Sequence, residues 1–325
     1  FKQKTAYEIK ECDWSSDVCS SDLAAELPPH GYIITKPVPG SDISADYTFV
    51  LTRDEIYVPI AVRKPMGNGP WPAIISGRGN GRGGLPLVEQ KVALYSTLQD
   101  KMIARGYVVV YVNYRNEIPY HYETRRAAHN VADDIANEGR TLKSTAIVDH
   151  DDLQTVIKYV RALPFVKDGK VGCVGVSHGG ETILKAAAEM DFTCGVAIEG
   201  ASHEFLTVDT GPNAPRIGSE VQYNDINVAR KNANKARAME RIRRINTPIL
   251  HLARDRDHLQ GIFKLVHEWM LEAGKDSTLV SFDHPSHGYP YIYRKPDGSY
   301  QPEPIQQQAY DLFMAFFDRY LKGVA

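Results

Sequence analysis

Residues 107–112 read YVVVYV, a run of apolar positions with no polar interruption. A continuous run of this length, rich in β-branched side chains, predicts a strand buried on both faces of a sheet. Similar runs predict strands at 72–76, 170–176, 194–198, 248–253 and 277–282. Between them the apolar positions change to helical spacing. Leu94, Leu98, Met102 and Ile103 share a face within 91–105, and further helices are predicted at 145–162, 178–190, 259–273 and 304–322. Strands alternating with helices of this length indicate βαβ units and a parallel sheet covered on both faces. Residues 46–52 and 56–63 instead flank the polar Arg53-Asp54-Glu55, as a hairpin does, and predict an antiparallel edge. Residues 201–246 interrupt the alternation and are expected to form a cap over one end of the sheet.

The first 23 residues do not follow any of these patterns. Lys2–Ile9 (KQKTAYEI) and Asp13–Leu23 (DWSSDVCSSDL) resemble the two halves of a translated sequencing-library adapter, in the right order, with Lys10–Cys12 at the variable index. Residues 1–23 are therefore expected to be a non-native leader, and residues 24–325 one α/β domain carrying the insert 201–246. The exclusion changes the charge. The leader holds Lys2, Lys4 and Lys10 against Glu8, Glu11, Asp13, Asp17 and Asp22, so the net charge of -2 belongs to it and the remainder is neutral. A neutral domain lacks the basic excess of a nucleic-acid binder. No apolar run reaches the ~18 residues of a membrane span. With Cys12 and Cys19 set aside, Cys173 and Cys194 remain, both in predicted core strands, where buried free thiols are expected rather than a disulfide framework. Neither compartment nor oligomeric state is indicated.

The chemistry is concentrated after three of the predicted strands. Gly175-Val176-Ser177-His178-Gly179-Gly180 lies between the strand ending KVGCVGV and the helical run ETILKAAAEM. This is G-x-S-x-G in the strand–turn–helix setting of a nucleophile elbow, where flanking glycines let strand and helix pass closely. The amide of His178, first in the helix, is placed to donate to an oxyanion. A serine nucleophile needs a base and the base an orienting acid, in the chain order Ser, Asp or Glu, His. Asp255 and Asp257 follow strand 248–253, and His284 and His287 follow strand 277–282, at the strand ends where open α/β sheets gather their catalytic groups.

From about residue 30 onward the chain resembles the α/β-hydrolase fold, and within it the catalytic domain of the prolyl oligopeptidase family. The resemblance rests on NYR at 113–115, on the run from Asp152 through the elbow (DLQTVIKYVRALPFVKDGKVGCVGVSHGG), on TPIL at 247–250 and on His287-Gly288. It implies Ser177 as nucleophile, His287 as base and Asp257, nine residues beyond the proline of TP, as the acid. Asp255 is the rival acid, because Ala253-Arg254 replaces the family's His-Gly before it, and His284 is the rival base. The second oxyanion donor is expected in the Gly77-Arg78-Gly79-Asn80 loop. There Arg78 stands at the position of a family tyrosine, so it would donate through its amide or turn its guanidinium to the substrate.

These residues imply a serine hydrolase that cleaves carboxylic esters or short peptides through an acyl-enzyme, with no cofactor. Two alternatives are a dienelactone-hydrolase-like or acyl-transferring enzyme and a non-catalytic binding protein on the same fold. The expected partner is a small ester or peptide, not nucleic acid or membrane. Asp255, Asp257, His251 and His258 match no strong metal-ligand spacing, and no metal is expected. Residues 228–246 carry Arg230, Lys231, Lys235, Arg237, Arg241, Arg243 and Arg244 against Glu240 alone. That bias reads either as a solvated cap helix or as a basic rim for anionic substrates.

Overall fold

The structure is a computed structural model that describes residues 33–53, 57–77, 84–114, 149–218, 220–292, 294–295 and 297–324. The leader, the Arg78 loop and Arg115 lie outside the described residues.

Among the described residues, nine strands form one sheet. In chain order they are β1 (Ile34–Lys36), β2 (Ala45–Leu51), β3 (Tyr57–Arg63), β4 (Trp71–Gly77), β5 (Val108–Val112), β6 (Val166–Val176), β7 (Cys194–Ile198), β10 (Ile249–Arg254) and β11 (Ser277–Phe282). A separate two-stranded ribbon, β8 (Arg216–Ile217) and β9 (Glu220–Val221), lies within the insert. The sheet order is β1-β2-β3-β5-β4-β6-β7-β10-β11. Pairing is antiparallel from β1 through to the β3–β5 contact, and parallel from β5 onward. The antiparallel edge and the parallel body thus appear where the hairpin-like pair and the strands alternating with helices separate in the sequence. β1 is short, half polar and exposed, and escapes the sequence pattern for that reason.

Helices α1 (Gly84–Leu94), α2 (Ser96–Ala104) and α8 (Pro304–Phe317) cover one face of the sheet. Helices α3 (Asp149–Ala162), α4 (His178–Ala187) and α7 (Gln260–Glu272) cover the other. The single helix expected at 91–105 is two helices that meet at Tyr95, a residue buried between Tyr111 and Tyr291. Helix α8 continues into a π-helical turn, Asp318–Lys322, whose Asp318 takes the Tyr107 hydroxyl (2.7 Å). Cys173 and Cys194 are buried free thiols, one on each face.

The insert contributes α5 (Ile226–Asn232) and α6 (Lys235–Arg244), each opened by a side-chain cap from Asp225 or Asn234. Its Phe205, Leu206, Tyr223, Ala229, Ala238, Met239 and Ile242 join the core on the α3–α4–α7 side, so it is a continuous part of that layer. Its Tyr223 region reaches the strand ends, where the Tyr223 amide donates to His258 O (2.6 Å) and the Gly261 amide to Tyr223 O (2.8 Å). Trp269 of α7 is buried among these helices, with Lys235 over its ring. Emptying that volume should be costly: Trp269→Ala is expected to lower stability by about 3–5 kcal/mol. Urea unfolding, read as a fall in midpoint without a change in slope, checks it.

Candidate active site

The turn expected to be a nucleophile elbow is built from backbone. β6 pairs with β7 through Val176↔Ile198, and the chain then turns at Ser177 into α4. Ser177 has φ 56° and ψ −119°, a conformation that L-residues rarely adopt and that has to be held by its surroundings. It is held at both ends. Its amide donates to Ile198 O (2.8 Å), and its carbonyl accepts from Gly180 (3.0 Å) and Ala201 (3.1 Å). The glycines are sterically required. A Cβ on Gly175 would lie 2.5 Å from the Gly179 backbone, and one on Gly180 would lie 2.8 Å from Gly200 Cα. Strand, helix and the turn after β7 therefore meet at backbone contact distance, with Ser177 partly exposed at the junction.

The His178 side chain points away from this junction. It is buried, with Nε2 2.9 Å from Asp149 Oδ2. Of the two groups, only its backbone N–H, at the first position of α4, lies on the Ser177 turn, where the oxyanion donor is expected. Helix-start amides have no partner within their own helix.

The loop after β11 carries both candidate bases, and the structure separates them. His284 is buried, stacked on Tyr289 (5.1 Å between ring centroids). Its Nδ1 accepts the Ser286 amide (3.0 Å), and its Nε2 lies 3.3 Å from Glu303. His287 has a side chain 43% exposed. It lies beside the elbow, because a Cβ on the next residue, Gly288, would be 3.2 Å from Val176.

The two candidate acids are also separated, and neither is the carboxylate the structure brings onto His287. Asp255 turns toward β11, accepting from Ser281 Oγ and from Gln260 Nε2 (3.4 Å). Asp257 is buried, and its oxygens are occupied. Oδ2 accepts from Arg254 Nη2 (2.5 Å) and Nε (3.2 Å). Oδ1 accepts from the Leu259 amide (2.7 Å) and faces His258 Nδ1 (3.2 Å). The side chain paired with His287 Nδ1 is Glu199, whose Oε2 is 2.6 Å away. Glu199 is the first residue beyond β7. It has φ 46°, its amide donates to Leu252 O (2.7 Å), and its carboxylate is fully buried.

Burial opposes ionisation of Asp257, but the hydrogen bonds from His258, the Leu259 amide and Arg254 outweigh it and hold the carboxyl at about 2, below its ordinary 3.8. A depressed carboxylate supplies stability that is complete above its unfolded value and is lost as pH falls through its folded one. The stability gap between the protein and Asp257→Asn is therefore expected to narrow as pH drops from about 5 to about 2. Urea denaturation across that range checks it.

Glu199, Asp257 and His287 bring ligand-type atoms within 4.8 Å of one another. The Arg254 guanidinium already bridges the two carboxylates, with Nε 3.3 Å from Glu199 Oε1 and 3.2 Å from Asp257 Oδ2. It supplies there the positive charge a cation would bring. Four of the seven basic residues in 228–246 are committed elsewhere. Arg230 pairs with Glu268 (2.6 Å), Lys235 with Glu272 (2.7 Å) and Arg244 with Glu240 (2.5 Å). Arg241 donates to the carbonyls of Glu204 (2.5 Å) and Phe205 (2.8 Å). These contacts fit the solvated cap helix better than a free anionic-substrate rim.

A sequence model of the prolyl oligopeptidase family matches residues 95–324, which include the elbow, Glu199, Arg254 and the His287 loop. The chain belongs to the prolyl oligopeptidase family. Solved structures agree on the α/β-hydrolase fold. Pyrococcus horikoshii acylaminoacyl peptidase is similar over 87% of this chain and 42% of its own, at 19% identity and TM-score 0.57. A putative dienelactone hydrolase from Klebsiella pneumoniae is similar over 86% of this chain and 100% of its own, at 16% identity and TM-score 0.56. A thermophilic esterase from Thermogutta terrifontis is similar over 86% of this chain and 92% of its own, at 20% identity and TM-score 0.51. The chain thus spans about two fifths of the length of the acylaminoacyl peptidase. No curated protein sequence matches it. Among the described residues, no helix is long and apolar enough to cross a membrane.

Proposed function

We propose that this prolyl oligopeptidase family member is a serine hydrolase that cleaves carboxylic esters or short peptide bonds through an acyl-enzyme. The observation that carries the reading is the strained, partly exposed Ser177 at the end of β6, with the His287 loop against the neighbouring Val176. In the first step Ser177 Oγ forms a bond to the carbonyl carbon, its proton passes to His287 Nε2, and the carbonyl π pair moves onto the oxygen. The His178 amide receives that oxyanion, with the second donor expected from the Arg78 loop. The pair then returns, the bond to the alkoxy or amino leaving group breaks, and His287 passes the proton to the departing atom. Water repeats the sequence on the acyl-enzyme and frees the acid.

The Nδ1 pairing supports this assignment of atoms. A carboxylate only accepts, so Nδ1 carries the hydrogen and Nε2 is left as the base. The acylaminoacyl peptidase solved with Z-Gly-Gly-Phe-chloromethyl ketone supports a peptide-like acyl group, and the similar esterase supports an ester. Turnover of p-nitrophenyl esters measured beside aminoacyl and N-acyl-aminoacyl nitroanilides tests the proposal. Hydrolysis of at least one class, blocked by a fluorophosphonate, is expected. Failure on both classes together with indifference to the fluorophosphonate would refute it.

A further inference from the structure

The geometry points to Glu199, not an aspartate after β10, as the residue that orients His287, with Asp257 acting one step further back through Arg254. This rests on the serine-hydrolase reading of Ser177 and His287 and deepens it.

Three observations carry it. First, reach: Glu199 Oε2 is 2.6 Å from His287 Nδ1 and also accepts the Gly288 amide at 2.6 Å. One oxygen thus fixes both the ring and the backbone that carries it. Second, occupancy: the near contacts of the Asp257 carboxylate go to Arg254, His258 and the Leu259 amide. Arg254 in turn faces Glu199 Oε1 (3.3 Å) and donates to Pro285 O (2.7 Å), two residues before His287. Asp257 aims the guanidinium, and the guanidinium sets both the carboxylate and the loop. Third, placement: Ser177 and Glu199 leave adjacent paired strands at equivalent positions, immediately after Val176 and Ile198. Both adopt positive φ, at 56° and 46°, which non-glycine residues keep only where the surroundings enforce it. The Gly180–Gly200 approach locks the two turns together. An acid at the end of β7 is one strand nearer the nucleophile than an acid at the end of β10, and it still satisfies the order Ser, Glu, His.

A neutral amide in place of the Glu199 carboxylate cannot serve both ends of this site. Whichever way that amide turned, its NH₂ would meet either Arg254 or the His287 and Gly288 donors. Glu199→Gln is therefore expected to lower kcat by about 10³–10⁴-fold with KM within a few-fold, as loss of an orienting carboxylate does. Asp257→Asn weakens the hold on Arg254 but leaves Glu199 on His287 Nδ1, and is expected to cost no more than about tenfold in kcat. The reverse ranking, with Asp257→Asn the crippled variant, would overturn the inference.

A proton spectrum guards against Glu199→Gln failing to fold. The wild type should show a far-downfield His287 Nδ1 proton that is absent in His287→Ala and persists in Asp257→Asn. Its disappearance in Asp257→Asn would also overturn the inference. Fluorophosphonate labelling of the wild type separates the two claims: labelled protein with the reverse ranking sinks Glu199 alone, whereas unlabelled, inactive wild type sinks the hydrolase reading beneath it.

Discussion

Ser177→Ala is expected to lower kcat on the preferred ester or peptide by about 10⁶-fold, the loss seen when a triad nucleophile is removed. The effect should fall on kcat and leave the fold intact. The hydrogen bonds that hold the turn run through the Ser177 amide and carbonyl and survive the substitution. Alanine does keep the φ strain of the elbow, so the variant should unfold close to the wild type and separate catalytic loss from structural loss. Steady-state kinetics beside thermal unfolding checks both halves. A variant that kept a tenth of the wild-type rate would remove Ser177 from the mechanism.

His287→Ala is expected to match that loss, and the double variant Ser177→Ala/His287→Ala to be no worse than either single one. In the proposed mechanism the two side chains act on the same proton in the same step, so removing either is expected to leave nothing for the other to do, and their effects should not add. What survives in all three variants is the contribution of substrate binding and of the His178 amide, worth about 10³–10⁴ over water. His284→Ala is the informative contrast. His284 lies beside Glu303 and stacked on Tyr289. Its loss should lower stability while leaving kcat within about tenfold. Additive losses in the Ser177/His287 double variant, or a larger kcat loss from His284→Ala than from His287→Ala, would contradict this assignment.

Most of the architecture is legible because the chain states it twice, once in apolar period and once in turn chemistry. The run 107–112 and the hairpin-like pair 46–52 and 56–63 predict opposite kinds of strand, and the sheet separates them in the same way. Gly175, Gly179 and Gly180 mark a close approach of strand and helix that the backbone contacts reproduce. The partner of His287 is not legible in the same way. Two aspartates after strand 248–253 draw attention because family resemblance places the acid there, and spacing along one chain says nothing about which oxygens arginines have already taken. Yet a signal exists. Glu199 is an acid directly after an all-apolar strand that neighbours the nucleophile's, a position where a buried carboxylate needs a strong reason to sit. The insert shows how charge and apolar period are read separately. Its charges read as a solvated cap helix or a basic rim, and its apolar positions, from Phe205 to Ile242, join it to the core beside α7.

The central claim, that Ser177 is an activated nucleophile, has a direct test that needs no knowledge of the substrate. The protein and Ser177→Ala should be incubated with a fluorophosphonate and the adduct mapped by mass spectrometry after digestion. A single phosphonyl group on the peptide carrying Gly175–Gly180 of the wild type, absent from the variant, is the predicted result. An adduct that persists in Ser177→Ala, or a wild type that takes up no phosphonyl group while correctly folded, would contradict it.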